Sequence, residues 1–316
     1  MENLSLLIAQ DLTQMVEGFS ADCMLRNMTT ESTRRYRSCL SIFGAFLRSR
    51  GISIKEVDRF ALKEFLEHIR FKRQVNQKTV ENYFAAISAF YDYLVFEELT
   101  LMNPVTPFRK RFLRNYKNES LGQKRKLLTV EEMSKLVNSI LDPRDKAIAV
   151  LLAKTGIRRN ELLSLDTDSV NWTEYSITLK QTPKRSNRVV FFDDECAFVL
   201  KRWLRTREKL NSPTKALFVS YQSLNRLDRN GLYTAIVNYA KALGLCDPRS
   251  RRLEDHFSPH CFRHWFTTWL RRNGMPREFV KELRGDRRKE AMDIYDHIDH
   301  EELRRAYLAC IPKLGV

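Results

Sequence analysis

The sequence predicts a mainly α-helical protein of two domains, the second carrying one small antiparallel sheet. Three observations predict this. Apolar side chains recur at helical spacing through the first hundred residues. The period shortens to two in only two short runs, Ser176 to Leu179 and Arg188 to Phe192. Between the halves, the stretch PVTPFRKRFLRNYKNESLGQKRK (104–126) is polar and strongly basic, with two prolines and one glycine. The expected organisation is a helical domain over 1–105, a basic interdomain linker over 106–126 and a mixed domain over 127–316.

Each element has its own signal. Leu4, Leu7, Ile8, Leu12, Met15 and Val16 predict a first helix within residues 1–28. Thr29 or Thr30 caps a second, which carries Tyr36, Leu40, Phe43 and Leu47 and stops at Gly51. A third is expected over 62–72 and a fourth over 77–98, the latter with Val80, Phe84, Ile87, Phe90, Tyr91 and Leu94 on one face. In the second half, Thr129 and Glu132 form a capping box, S/T-x-x-E, that opens a helix to about Leu141. Another runs from Arg144 to Lys154 and ends at Thr155-Gly156. A short helix at 158–165 precedes the two strands, which flank a basic turn holding Lys180 and Lys184. Helices resume over 194–209, 229–243 and from Ser258 onward.

Composition narrows the function. The chain has 316 residues, 43% hydrophobic and 30% charged, with a net charge of +16. Such an excess favours a polyanionic partner, above all nucleic acid. No apolar run is long enough to span a membrane, and the N-terminus lacks the basic region and cleavage site of a signal peptide. The six cysteines are scattered without a Cys-x-x-Cys, which argues against a disulfide framework or zinc knuckles and for a reducing compartment. A cytoplasmic, nucleoid-associated protein is therefore expected, with no membrane partner. Arg34, Arg35, Arg73 and Lys78 in the first domain, and Arg109, Lys110 and Arg111 in the linker, are the candidate phosphate contacts.

The chemistry gathers in residues 260–295. Ser258 and Pro259 predict a helix start, with Ser at the N-cap and Pro at the first helical position. His260 then falls where backbone N–H groups and the helix dipole favour an anion, and Arg263 and His264 follow one turn on. Cleaving a phosphodiester requires an in-line nucleophile, cations for the non-bridging oxygens and an acid for the leaving oxygen. Arginine forks suit the second task. Tyr295 is a candidate for the first, with Tyr307 as its rival.

Three separated boxes, T-G-I-R-R-N-E-L-L-S-L (155–165), H-C-F-R-H (260–264) and G-D…I-Y-D-H-I (285–298), resemble those of the tyrosine recombinase family, the phage-integrase-type and Xer-like enzymes. The resemblance covers the second half throughout, and the helical first half is similar to the family's core-binding, SAM-like domain. It implies that Arg158 and Arg263 clamp the scissile phosphate, with Glu161 bracing them. His260 donates to the phosphate or accepts the tyrosine proton. Lys184, nearer the hairpin tip than Lys180, is the general acid and Tyr295 the nucleophile. The implied reaction is site-specific DNA integration, excision or resolution through a 3′-phosphotyrosyl link, chemistry like that of a type IB topoisomerase. It needs no cofactor, neither ATP nor metal. The implied partners are double-stranded DNA and three further copies of the chain, a homotetramer on two DNA sites that exchanges strands through a Holliday junction. The apolar stripe Leu303, Tyr307 and Ile311 is expected to dock the C-terminal helix on a neighbouring protomer.

Two departures stand out. Asp286 occupies the position where the family carries His or Trp, and an ionised carboxylate repels a phosphate. It is expected to turn toward Arg284, Arg287 or Arg288, to be protonated, or to slow the step. The hairpin also lacks the family's Gly-Lys-Gly turn. Two other readings follow from particular residues. His256, His260 and His264 recur at metal-ligand spacing, which suggests a metal-dependent nuclease, although Pro259 interrupts the helix between the first two. Asp286 suggests a DNA-binding protein of the same fold with weakened or lost cleavage.

Overall fold

The computed structural model describes residues 2–113, 126–181, 189–250, 252–286 and 298–316. The chain forms two compact units, 1–120 and 121–316. Among the described residues no helix is long and apolar enough to cross a membrane.

The first unit is all-helical: α1 (Glu2–Leu25), α2 (Thr30–Arg50), α3 (Arg59–Glu67), α4 (Gln77–Phe96) and α5 (Val105–Phe112). The capping signals hold. Thr29 Oγ1 accepts from Ser32 N at 3.2 Å, and Gly51 closes α2 at φ 65°. Asn76, a cap that the pattern did not single out, starts α4 by accepting from Thr79 N on Oδ1 at 2.8 Å. Aromatic rings fill the core, with Phe43 edge-on to Phe65 at 4.9 Å and Phe84 stacked on Phe108 at 5.2 Å. Two sequence expectations are corrected. The third helix begins earlier, because Asp58 Oδ1 accepts from Phe60 N and Ala61 N, both at 2.9 Å, and its last turn, His68–Lys72, widens to a π turn. The expected linker is helical over Val105–Phe112. Its prolines do not break it: Pro104 precedes the helix and Pro107 sits in the first turn, where no donor is needed. Asn103 Oδ1 caps it by accepting from Val105 N at 2.8 Å. Val105 and Phe108 are buried, and Phe112 stacks on Phe108 at 4.6 Å. The remainder of that stretch, 114–125, lies outside the described residues.

The second unit is mainly helical: α6 (Val130–Ser139), α7 (Pro143–Thr155), α8 (Arg159–Leu163), α9 (Asp194–Lys209), α10 (Arg229–Ala242), α11 (Pro259–Arg272), α12 (Arg277–Arg284) and α13 (His300–Cys310). Its sheet has the order β1 (Val170–Asn171), β2 (Ser176–Thr178), β3 (Val189–Phe191), antiparallel throughout. Ile177 pairs with both Val170 and Val190. The two-residue β1 was too short to give a period. The Thr129–Glu132 capping box forms with both bonds, 2.8 and 3.1 Å.

Helix α7 is the central strut. Asp142 caps it, Pro143 opens it, and every residue from Ala147 to Thr155 is buried, so it is apolar on all sides. It packs on α9 and α11. Lys154, wholly buried near its C-terminal end, donates to Asp193 Oδ2 and Glu195 Oε2, both at 2.6 Å, and to the carbonyl of Pro312 at 2.7 Å. Glu195 in turn accepts from Leu314 N and Gly315 N, and Leu314 is buried. The chain's last residues are thus tied to the middle of the unit.

The stripe Leu303, Tyr307 and Ile311 does not face outward. It is buried within its own unit against Phe191, Phe266, Leu270, Met275, Val280 and Leu283. The expectation of docking on a neighbour through this stripe is corrected: α12 and the end of α11 supply the apolar partners that the pattern alone left unassigned.

Candidate active site

The site forms where three chain breaks meet. The first is the end of α7. Gly156 takes φ 59°, and a Cβ there would stand 2.3 Å from Phe266 Cδ1 of α11, so both conformation and space require glycine. The turn delivers Arg158 to the start of α8. There Glu161 Oε2 accepts from the Arg158 backbone N at 2.6 Å and Oε1 from its Nη1 at 3.0 Å. Glu161 is buried while Arg158 is half-buried, so the carboxylate fixes the guanidinium from below. Arg159, its neighbour, is exposed.

The second is α11. Ser258 is its N-cap and Pro259 its first residue, as expected, but the serine side chain makes no capping bond. His260 and His264 are exposed and lie edge-on at 5.3 Å. Arg263, on the other side, is 5% exposed. Its Nη1 donates to Gly156 O at 2.9 Å and its Nη2 to Arg284 O at 2.8 Å. Trp265 and Trp269 hold the helix in place by donating to the carbonyls of Thr129 and Leu128 at 3.3 and 3.1 Å.

The third is the end of α12. Gly285, at φ 60°, turns the chain, and Asp286 N bonds back to Lys281 O at 3.2 Å. This places the Asp286 carboxylate among three arginines. Its Oδ1 lies 3.2 Å from Arg263 Nη2 and 3.6 Å from Arg158 Nη2, and its Oδ2 lies 3.1 Å from Arg284 Nε. The expected turn toward Arg284 occurs, yet the other oxygen faces the two arginines of the proposed phosphate grip.

The arrangement gathers guanidinium donors that suit an oxyanion. Arg158 and Arg263, 105 positions apart in sequence, reach one oxygen atom. Burial lowers the Arg263 pKa to about 10, with Arg158 and Arg284 adding to the effect and Asp286 and Glu161 opposing it. The group stays charged at neutral pH. Among the described residues, three guanidinium groups against two carboxylates give an excess of positive charge suited to a monoanionic phosphodiester. Sequence reasoning named Arg284 as one of three possible partners of Asp286, but missed Gly156 as the anchor of Arg263. The glycine could have been found from its place in the first box.

Other candidates fall elsewhere. Lys184 and Tyr295 lie outside the described residues. Lys180 is engaged, with its Nζ 2.8 Å from Asp166 Oδ2, a carboxylate also held by Arg226. Those two cations hold the Asp166 carboxyl below its usual range. Tyr307 cannot serve as nucleophile: it is fully buried, donates to Lys154 O at 2.9 Å, and burial pushes its hydroxyl well above the ordinary tyrosine value. His256 precedes α11 and bonds Ser250 O at 2.6 Å, so it does not share a helical face with His260 and His264. In the first unit, Arg34 and Arg35 share Glu31 at 2.7 and 3.7 Å, Lys78 pairs with Glu81 at 3.1 Å, and Arg73 is exposed. Lys110 and Arg111 are exposed on α5 and Arg109 is partly so. Such surface pairs are weak and exchange readily for phosphate.

Residues 126–302 match the phage integrase family, and residues 15–101 match its N-terminal SAM-like domain. This chain belongs to the phage integrase family. Like other tyrosine recombinases, it is an enzyme that cuts and rejoins DNA strands. The tyrosine recombinase XerC of Oceanobacillus iheyensis is 28% identical over 299 residues, covering 91% of this recombinase and 92% of that protein. The XerC of Herpetosiphon aurantiacus is 28% identical over 306 residues, covering 92% of each. Among solved structures, the Tn1549 transposon integrase in complex with circular intermediate DNA shares the fold with a TM-score of 0.67 at 16% identity, over 92% of this recombinase and 98% of that chain. The XerH site-specific recombinase bound to palindromic difH substrate, in a post-cleavage complex, does so with a TM-score of 0.64 at 22% identity, over 89% and 80%.

Proposed function

We propose that this recombinase acts at specific sites in double-stranded DNA, with Tyr295 as nucleophile and Arg158 and Arg263 as the clamp on the scissile phosphate. The observation that supports the clamp is the convergence of the two guanidinium groups on one carboxylate oxygen, 3.2 and 3.6 Å away. A phosphate oxygen makes the same demand on the same donors. Glu161 orients Arg158, and His260, in the first turn of α11, faces solvent where DNA would lie.

In the step so assigned, Tyr295 gives its hydroxyl proton to His260 and its oxygen attacks phosphorus as the bond to the 5′-oxygen breaks. The two arginines neutralise the charge on the non-bridging oxygens. Lys184 gives its proton to the leaving 5′-oxygen. The product is a 3′-phosphotyrosyl link, and the 5′-hydroxyl of a partner strand reverses the reaction. Because the phosphotyrosine conserves the bond, the protein's own residues suffice for both directions. Strand exchange between two sites calls for four active centres, so the working assembly is a homotetramer. The enzyme works in the cytoplasm on nucleoid DNA, where the cationic surface of the first unit, from Arg34 to Lys78 and along α5, follows the backbone.

A nicked suicide duplex tests this reading. The wild type is expected to leave a protease-sensitive covalent DNA adduct that persists in EDTA and is lost in Tyr295→Phe. Binding without any adduct would favour a non-cleaving DNA-binding protein, and an adduct retained by Tyr295→Phe would end the assignment.

A further inference from the structure

We infer that Asp286 is an internal stand-in for the scissile phosphate: it fills the anion site of the DNA-free enzyme and must be displaced before cleavage. The inference rests on the clamp assigned above. Both Nη2 hydrogens of Arg263 are engaged, one by the Arg284 carbonyl at 2.8 Å and one by Asp286 Oδ1 at 3.2 Å. The carbonyls of Gly156 and Arg284 belong to helix ends and cannot withdraw. The carboxylate can. It stands one residue past Gly285, whose left-handed conformation ends α12, and it is a third exposed.

Arg284 makes the exchange feasible. Its Nε stands 3.1 Å from the other carboxylate oxygen, an ion pair outside hydrogen-bond geometry. When a phosphate takes Arg263 and Arg158, Oδ1 leaves them while Oδ2 keeps its cation, so the departing charge is not stranded. Until then the carboxylate compensates a guanidinium that is almost wholly buried. The site thus stays ordered without DNA and discriminates against weak oxyanions, since an incoming anion must outcompete a tethered one. This gives a physical role to the residue that departs from the family pattern: it sets a threshold for filling the clamp instead of donating to the phosphate.

The probe is inorganic orthophosphate, with binding read from the rise in unfolding temperature at constant ionic strength. Asp286→Asn keeps the shape and removes the charge. It is expected to bind phosphate about tenfold tighter than wild type, the scale of releasing one charge-assisted hydrogen bond. Adduct formation at limiting suicide duplex should rise in the same direction. Asp286→Ser, smaller and also neutral, should behave alike and covers the case in which the amide variant fails to fold. Equal or weaker phosphate binding in the folded variants, or slower adduct formation, overturns the inference and makes Asp286 a positioning residue for the arginines. The wild-type adduct reports the recombinase assignment separately. An adduct without tighter phosphate binding in the variants leaves that assignment intact and removes only the stand-in.

Discussion

Replacing Lys154 by Met should unfold the second unit far more easily than the loss of one surface charge would. The ammonium is wholly buried, and its three hydrogens go to Asp193, Glu195 and the Pro312 carbonyl at 2.6, 2.6 and 2.7 Å. Methionine keeps the stem and removes the charge, leaving two carboxylates, 1% and 11% exposed, without their shared cation. Removing one partner of a buried pair costs about 3–5 kcal/mol. Asp193 retains Cys196 N and Lys313, and Glu195 retains the amides of Leu314 and Gly315, which keeps the cost inside that range. The four tryptophans, at 172, 203, 265 and 269, all lie in the second unit. Their fluorescence in urea therefore follows that unit alone, and a loss of about 4 kcal/mol moves the midpoint down by roughly 1.3–4 M for slopes of about 1–3 kcal/mol/M. Adding Asp193→Asn to the Met variant should recover part of the loss, because it removes a stranded charge. A midpoint within about 0.3 M of wild type, at unchanged slope, would refute the idea that this network anchors the C-terminal residues to α7.

Three further outcomes are expected. Gly156→Ala combines a positive φ with a 2.3 Å contact to Phe266, so it should cost about 1–3 kcal/mol in the same urea assay and lower adduct formation by shifting the carbonyl that anchors Arg263. For Glu195, burial raises the pKa, but the bond from Lys154 and the two tail amides outweigh it and the net shift is downward. Its contribution is present above the ordinary glutamate range and is lost as pH falls through the depressed value, so Glu195→Gln should be less stable at neutral pH and show a flatter acid limb in stability against pH. Lys184→Ala should abolish cleavage of ordinary DNA and regain it on a duplex with sulfur at the scissile 5′ position, since a thiolate leaves without an acid; Lys180→Ala, which removes a lysine already paired with Asp166, should not need that rescue.

Residue pattern alone determined much of this protein. Helical spacing, caps at Thr29 and Thr129, and the glycines at 51 and 156 are local signals, because backbone groups near a helix end are satisfied within a few residues. Three boxes in order were enough to place the chain in its family. Where the pattern misled, the deciding contacts were distant. Helix α5 was hidden by prolines and basic residues, and it forms because Phe108 has Phe84 to stack on. The stripe on α13 looked like an interface and proved to be core, because α11 and α12 meet it from residues 266–283. Lys154 read as a helix-end charge until the chain's last residues returned to it. The surroundings of Asp286 were only partly legible along the chain: Arg284 is near it in sequence, and Arg158 and Arg263 are not. Its surroundings depend on three guanidinium groups sharing one carboxylate, and only tertiary packing brings Arg158 and Arg263 within ion-pairing distance of it.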